Sequence, residues 1–128
     1  YHRTIAEWPS ETYCLPEGER QMIAVRCASG RVRLFEPSVN YFTNAVNHPD
    51  QGTGADMLKE ALTRLHRDTD YRIVLPVHDE ILLEVPEGEA QKAKEVLKTI
   101  MLDVERKYVT VVPAEAEAKI GPTWADAH

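Results

Sequence analysis

Residues 72–85, RIVLPVHDEILLEV, set three ionisable side chains, His78, Asp79 and Glu80, between two apolar runs. Ile73, Val74, Leu75 and Val77 precede them, and Ile81, Leu82 and Leu83 follow. Burying a carboxylate pair beside so much aliphatic surface is costly unless a cation or hydrogen-bond donors compensate. A hard divalent ion such as Mg²⁺, which takes oxygen ligands, would remove that penalty. Zinc fits poorly, because no further His or Cys completes its ligand set. The commoner meaning of such a triplet is a solvated hairpin turn. Turns of that kind draw on Gly, Asn, Asp or Pro, however, and need no glutamate next to long aliphatic strands. A tight hairpin would hold Asp79 rigidly at its tip, where a metal-binding carboxylate is well placed.

A second set lies in NHPDQGTGADMLKEAL, residues 47–62. Asn47 and Gln51 are four positions apart and share a helical face if a helix continues through Pro49. Two amides, each with a donor and an acceptor, suit the groove edges of a base-paired duplex. Minor-groove acceptors are nearly the same for every base pair, so such contacts test duplex shape rather than sequence. Taken alone, the stretch reads more readily as a helix cap, with Gly52-Thr53 restarting a helix. Arg31 and Arg33 could hold phosphates, although two arginines on a strand face are usually plain surface. His2, His48, His66 and His128 are scattered, and surface positions are expected for them.

The elements that must position these residues follow from periodicity. YHRTIAEW suggests the last turns of a helix ended by Pro9, and PSETYCLPEGER, with two prolines and a glycine, reads as loop. Met22–Cys27 and Val32–Phe35 predict a β-hairpin turning at Ala28-Ser29-Gly30. From Ser38 the pattern is helical: Val39, Phe42 and Val46, then an apolar stripe of Met57, Leu58, Ala61, Leu62 and Leu65. Pro49 allows either a restart near Asn47 or a kinked helix. Residues 72–85 predict strand, tight turn, strand. A second helix over roughly 88–107 has Ala93, Val96, Leu97, Ile100, Met101 and Val104 on its inner face. PAEAEAKIG alternates Ala with charge and predicts a half-buried strand. The fold class is therefore α+β, antiparallel strands packed on two main helices.

At 128 residues the chain has enough material for one domain with a real core. A hydrophobic content of 43% and a charged content of 28% are ordinary for a globular protein. The net charge of -6 argues against nucleic-acid binding by bulk electrostatics alone. Cys14 and Cys27 are too few for a disulfide scaffold, so reduced thiols and a cytoplasmic location are expected. No apolar run approaches a membrane span or a signal peptide. A start without Met fits a piece of a longer chain.

Together these stretches resemble the C-terminal part of the palm of family A DNA polymerases, the bacterial DNA polymerase I type. LPVHDEILLEV is similar to that family's motif C, NHPDQGTGADMLKEAL to its Asn, Pro and Gln-Gly helix, and ASGRVR to the hairpin leading out of the fingers. VPAEAEAKIGPTWADAH resembles the closing strand and terminus. The resemblance implies residues 22–128 as C-terminal palm with motif C, and 1–21 as the end of the fingers or a linker. It implies Asp79 as a catalytic ligand of two Mg²⁺ ions about 4 Å apart, with Glu80 as a secondary acidic group. His78, Asn47, Gln51 and Arg31 would be its DNA-binding residues. Primer-template DNA and deoxynucleoside triphosphates are the implied partners, with no membrane.

The family's second catalytic Asp, its nucleotide-binding fingers helix and its thumb fall outside these 128 residues. The chain alone is therefore expected to be inactive. Thr43 stands where many members carry Arg, and Asp50 where an apolar residue is usual. Two other possibilities come from the same residues. One is a non-catalytic palm-derived binding module or split polymerase subunit. The other is a metal-dependent nuclease, which would need further carboxylates near Asp79.

Overall fold

The computed structural model describes residues 10–15, 18–36 and 41–127, with side chains from residue 22 onward. The expected helical turn in residues 1–8 lies outside them, as do His2, His128 and the helix start at Ser38. The chain divides into two compact units, residues 1–54 and 55–128.

In the first unit three strands, β1 (Ser10–Leu15), β2 (Gly18–Arg26) and β3 (Val32–Phe35), form one antiparallel sheet in chain order. The expected hairpin is there, with Arg26 opposite Val32 and Ile23 opposite Phe35. Its turn uses Gly30 at φ 90°, and the Gly30 N–H donates to the Cys27 carbonyl at 2.9 Å. A positive φ at the third loop residue is what a three-residue hairpin loop asks for, and glycine meets it freely.

The sequence reading of Ser10–Leu15 and Gly18–Arg20 as loop is corrected. Both lie in strands, with Leu15 opposite Gly18 and Ser10 opposite Ile23. Prolines and a glycine at the connection mark where the strands end, while ladder hydrogen bonds to β2 decide the state of the residues between.

A helix, α1 (Tyr41–Asp68), follows and runs unbroken through Pro49. Pro49 has no N–H to give the Ala45 carbonyl and crowds it sterically. Tertiary contacts outweigh that loss: Val25, Phe35 and Ala45 are buried together, with Ile23 and Tyr41 packed against them. Thr53, expected as a possible helix restart, lies inside the helix instead. Its hydroxyl donates to the Pro49 carbonyl at 2.5 Å and accepts from the Ala28 N–H at 3.0 Å. His48, expected at the surface, is buried, its ring edge-on to Phe35 with centroids 6.0 Å apart.

In the second unit, β4 (Arg72–Val77) and β5 (Glu80–Glu84) form an antiparallel hairpin. Ile73 faces Leu83 and Leu75 faces Leu82, so Val74 is the extra residue of a bulge. A 3-10 turn, Glu87–Glu89, leads into α2 (Ala90–Tyr108). From the expected inner face of α2, Ala93 and Val104 are buried and Val96, Leu97, Ile100 and Met101 half-buried. Ala61 and Leu65 of α1 are fully buried. A short α3 (Trp124–Ala127) ends the described chain.

The strand expected over PAEAEAKIG is corrected. Ala114, Ala116 and Ala118 are half-buried and Glu115, Glu117 and Lys119 exposed, but Ile120, expected on the same face as the alanines, is exposed, so the alternation holds only as far as Lys119. No ladder forms, because a strand needs a neighbour and none of the described strands pairs with this segment.

Candidate functional site

The first unit carries Asn47, Gln51 and Arg31. Asn47 and Gln51 are both exposed on α1, one turn apart, because the helix continues through Pro49. Arg31 reaches the same stretch of helix: its Nη2 donates to the Gly52 carbonyl at 3.0 Å. Gly52 allows this close approach. A Cβ there would lie 3.0 Å from His48 Cε1 and 3.3 Å from Cys27 Cβ. Three contacts thus dock the β2–β3 turn on α1, namely Arg31 to Gly52, Ala28 to Thr53, and Cys27 against Gly52. Arg31 is thereby placed beside Gln51's neighbour. Arg33 diverges from it, with its guanidinium carbon 4.9 Å from the Phe35 ring centroid. Cys27 is buried, and its Sγ donates to the Arg31 carbonyl at 3.3 Å.

The second unit carries His78, Asp79 and Glu80. Val77 pairs with Glu80, leaving His78 and Asp79 as the whole loop of the hairpin. All three ionisable residues are exposed, so the burial cost anticipated from the sequence is not incurred. The aliphatic residues Ile73, Leu75, Val77, Ile81, Leu82 and Leu83 are half-buried along the hairpin behind them. The Asp79 carboxylate makes no hydrogen bond or ion pair in the described structure, and the turn leaves it open to solvent. Glu84 sits at the far end of the ladder, where it pairs with Arg72 at 3.1 Å. It is therefore committed away from Asp79.

Asp79 and Glu80 supply hard oxygen donors of the kind Mg²⁺ takes, since that ion usually binds one or two carboxylates and keeps several waters. Among the described residues no group of three or more His, Cys, Asp or Glu is arranged to hold a metal ion. The hairpin thus fits part of a Mg²⁺ ligand set. No described helix is long and apolar enough to cross a membrane.

Sequence reasoning missed Gly52, Thr53 and His48. The Gly-Thr dipeptide after Gln51 was visible, but its use depends on contacts with residues 27–31, more than twenty positions away.

The sequence model of DNA polymerase family A matches residues 18–126. DNA polymerase I of Chloroflexus aurantiacus is 39% identical over 85 residues, covering 62% of this chain and 9% of that protein. DNA polymerase I of Aquifex aeolicus is 38% identical over 92 residues, 68% of this chain and 16% of that protein. The thermostable DNA polymerase I of Thermus aquaticus is 34% identical over 116 residues, 88% of this chain and 12% of that protein. The chain thus spans roughly a tenth of the length of these relatives. With the hairpin and helix stretches inside the matched region, the chain belongs to DNA polymerase family A.

Proposed function

We propose that this chain is the C-terminal palm portion of a DNA-directed DNA polymerase that extends a primer 3′-hydroxyl on a template. Residues 22–128 form that palm portion, and residues 1–21 are the end of the fingers or a linker. The observation that carries this reading is the placement of Asp79, an exposed carboxylate at the tip of a two-residue hairpin loop. Asp79 is the catalytic ligand, with Glu80 beside it as the second acidic group. When bound, two Mg²⁺ ions would activate the primer hydroxyl and stabilise the leaving pyrophosphate. The chain's own contribution is to hold Asp79 rigidly and to bind DNA. Asn47 and Gln51 offer amides from one helical face to the minor groove, Arg31 contacts phosphate, and His78 lies next to the primer end. Primer-template DNA and deoxynucleoside triphosphates are the partners, and the cytoplasm is the location.

The absence of a third carboxylate near Asp79 among the described residues supports completion of the site by the upstream palm, fingers and thumb. Those parts belong to the same chain or to a separate subunit. The 128-residue chain alone is accordingly expected to extend no primer. Supplied with the complementary polymerase segments, it is expected to do so, and Asp79→Ala should abolish the extension while primer-template binding persists. Extension by the chain alone, abolished by Asp79→Ala, would overturn the need for a partner. Full extension by an Asp79→Ala protein would overturn the role of Asp79.

A further inference from the structure

The loop that carries Asp79 is closed by a residue in a backbone conformation that its type disfavours. His78 has a φ of 54°, and it is the single non-glycine residue with positive φ among those described. Two-residue hairpin loops use I′ or II′ turns, whose twist matches that of the strands, and both demand a positive φ at the first loop position. Glycine meets the demand freely. A residue with a Cβ does so at a cost, although His adopts it more often than most, and a β-branched residue is a true outlier there. Such strain persists only where the surrounding structure enforces it. Here the ladder enforces it: Val77 pairs with Glu80, Pro76 with Ile81 and Leu75 with Leu82, which leaves the loop no third residue. The imidazole does not hold the turn, for the exposed ring makes no hydrogen bond or ion pair in the described structure.

We propose that His78 acts on Asp79 through its backbone. The left-handed φ of residue 78, and not the imidazole, fixes the direction in which the Asp79 carboxylate leaves the hairpin tip. His78 is thus a positioning residue. What the positioned carboxylate does rests on the metal-ligand reading of Asp79, whereas the turn geometry stands independently of it.

The test compares His78→Gly, His78→Ala and His78→Val in the 128-residue chain by NMR. Gly and Ala both remove the ring, so their difference isolates the backbone. The first readout is amide hydrogen exchange at Val77 and Glu80. The second is paramagnetic broadening of the Asp79 and Glu80 resonances by added Mn²⁺. His78→Gly is expected to keep the wild-type protection at Val77 and Glu80, or to raise it. His78→Ala and His78→Val should open the pair about tenfold more often than His78→Gly. At equal Mn²⁺ the Asp79 broadening should survive in the Gly variant and weaken in the other two. Equal behaviour of Gly and Ala at both readouts would overturn the proposal. Global unfolding of the Val variant would appear as lost protection throughout α2, and the Gly–Ala comparison then decides. If the exchange ranking holds while Mn²⁺ broadens Asp79 in no protein, wild type included, the backbone role stands and the metal-ligand reading falls.

Discussion

Glu60 and Tyr108, 48 positions apart in the chain, meet through a 2.7 Å hydrogen bond from the Tyr108 hydroxyl to Glu60 Oε2. Lys107 Nζ donates to the same oxygen at 2.8 Å, and Arg64 Nη2 donates to Oε1 at 2.6 Å. One carboxylate on α1 thereby gathers the end of α2. The Lys107 ammonium first, then the Tyr108 hydroxyl, hold the Glu60 carboxyl down at about 2, against burial that opposes the charge, with Arg64 adding to the effect. Lys107 is raised in turn, chiefly by its hydrogen bond to Glu60.

This network makes stability depend on pH. A carboxyl lowered in the folded state binds protons more weakly there than in the unfolded chain, so stability rises with pH through the window between the two values. The contribution should be complete above about 4.5 and disappear as pH falls towards about 2. Glu60→Gln is expected to cost about 1–2 kcal/mol at neutral pH, the scale of a partly exposed charge-assisted network. Urea midpoints of both proteins should converge between pH 4.5 and 2. A gap that stayed constant across that range would show that packing, and not charge, holds Glu60.

Gly52 and Gly54 lie on the same helix, yet alanine should act in opposite directions at the two. At Gly52 the added Cβ meets buried His48 at 3.0 Å and Cys27 at 3.3 Å, and the overpacking should outweigh the gain in helix propensity. A net loss of about 1 kcal/mol is expected. At Gly54 nothing lies within 4 Å, so alanine should stabilise the chain by about 0.5–1 kcal/mol. Thermal melts of the two variants check the pair, and stabilisation by both would mean that the β2–β3 turn yields easily.

The hairpin's exposed ion pair should matter little compared with the core. Arg72 and Glu84 are 74% and 63% exposed, and Arg72→Ala is expected to cost less than about 0.5 kcal/mol and to lose even that in high salt. Leu65, fully buried in α1, should cost about 2–5 kcal/mol on replacement by Ala. Denaturant titration at low and high salt separates the two.

The terminal turn depends on Gly121. A Cβ there would sit 2.7 Å from the backbone of Asp126 and Ala127, and backbone cannot swing aside. The turn is otherwise held by Thr123, whose hydroxyl bonds Asp126. Gly121→Ala should displace α3 without unfolding α2. A shift of Trp124 fluorescence in a Trp8→Phe background, with helical circular dichroism nearly unchanged, is the expected result.

Much of the architecture was determined by local pattern. The 3.6 period of Ala93, Val96, Leu97, Ile100, Met101 and Val104 identified α2, and β-rich runs around Ala28-Ser29-Gly30 and His78-Asp79 identified two hairpins. These features depend on neighbours a few residues away, so the sequence by itself contains them. The Asp79 candidate was legible for the same reason: a two-residue loop between aliphatic strands puts its residues at the tip whatever surrounds it.

What depended on distant contacts was decided by the tertiary structure alone. Pro49 left open whether α1 breaks, and the packing of Ala45 with Val25 and Phe35 keeps it whole. Residues 10–15 read as loop because proline flanks them, yet ladder bonds to β2 make them a strand. Residues 113–120 carry a strand's alternation and form none, because backbone N–H and C=O groups need a partner edge and composition cannot provide one. His48 looked like a surface histidine until Phe35 and the Gly52 approach enclosed it. A pattern fixes which face of an element is apolar, but only the folded chain determines what that face, or that edge, meets.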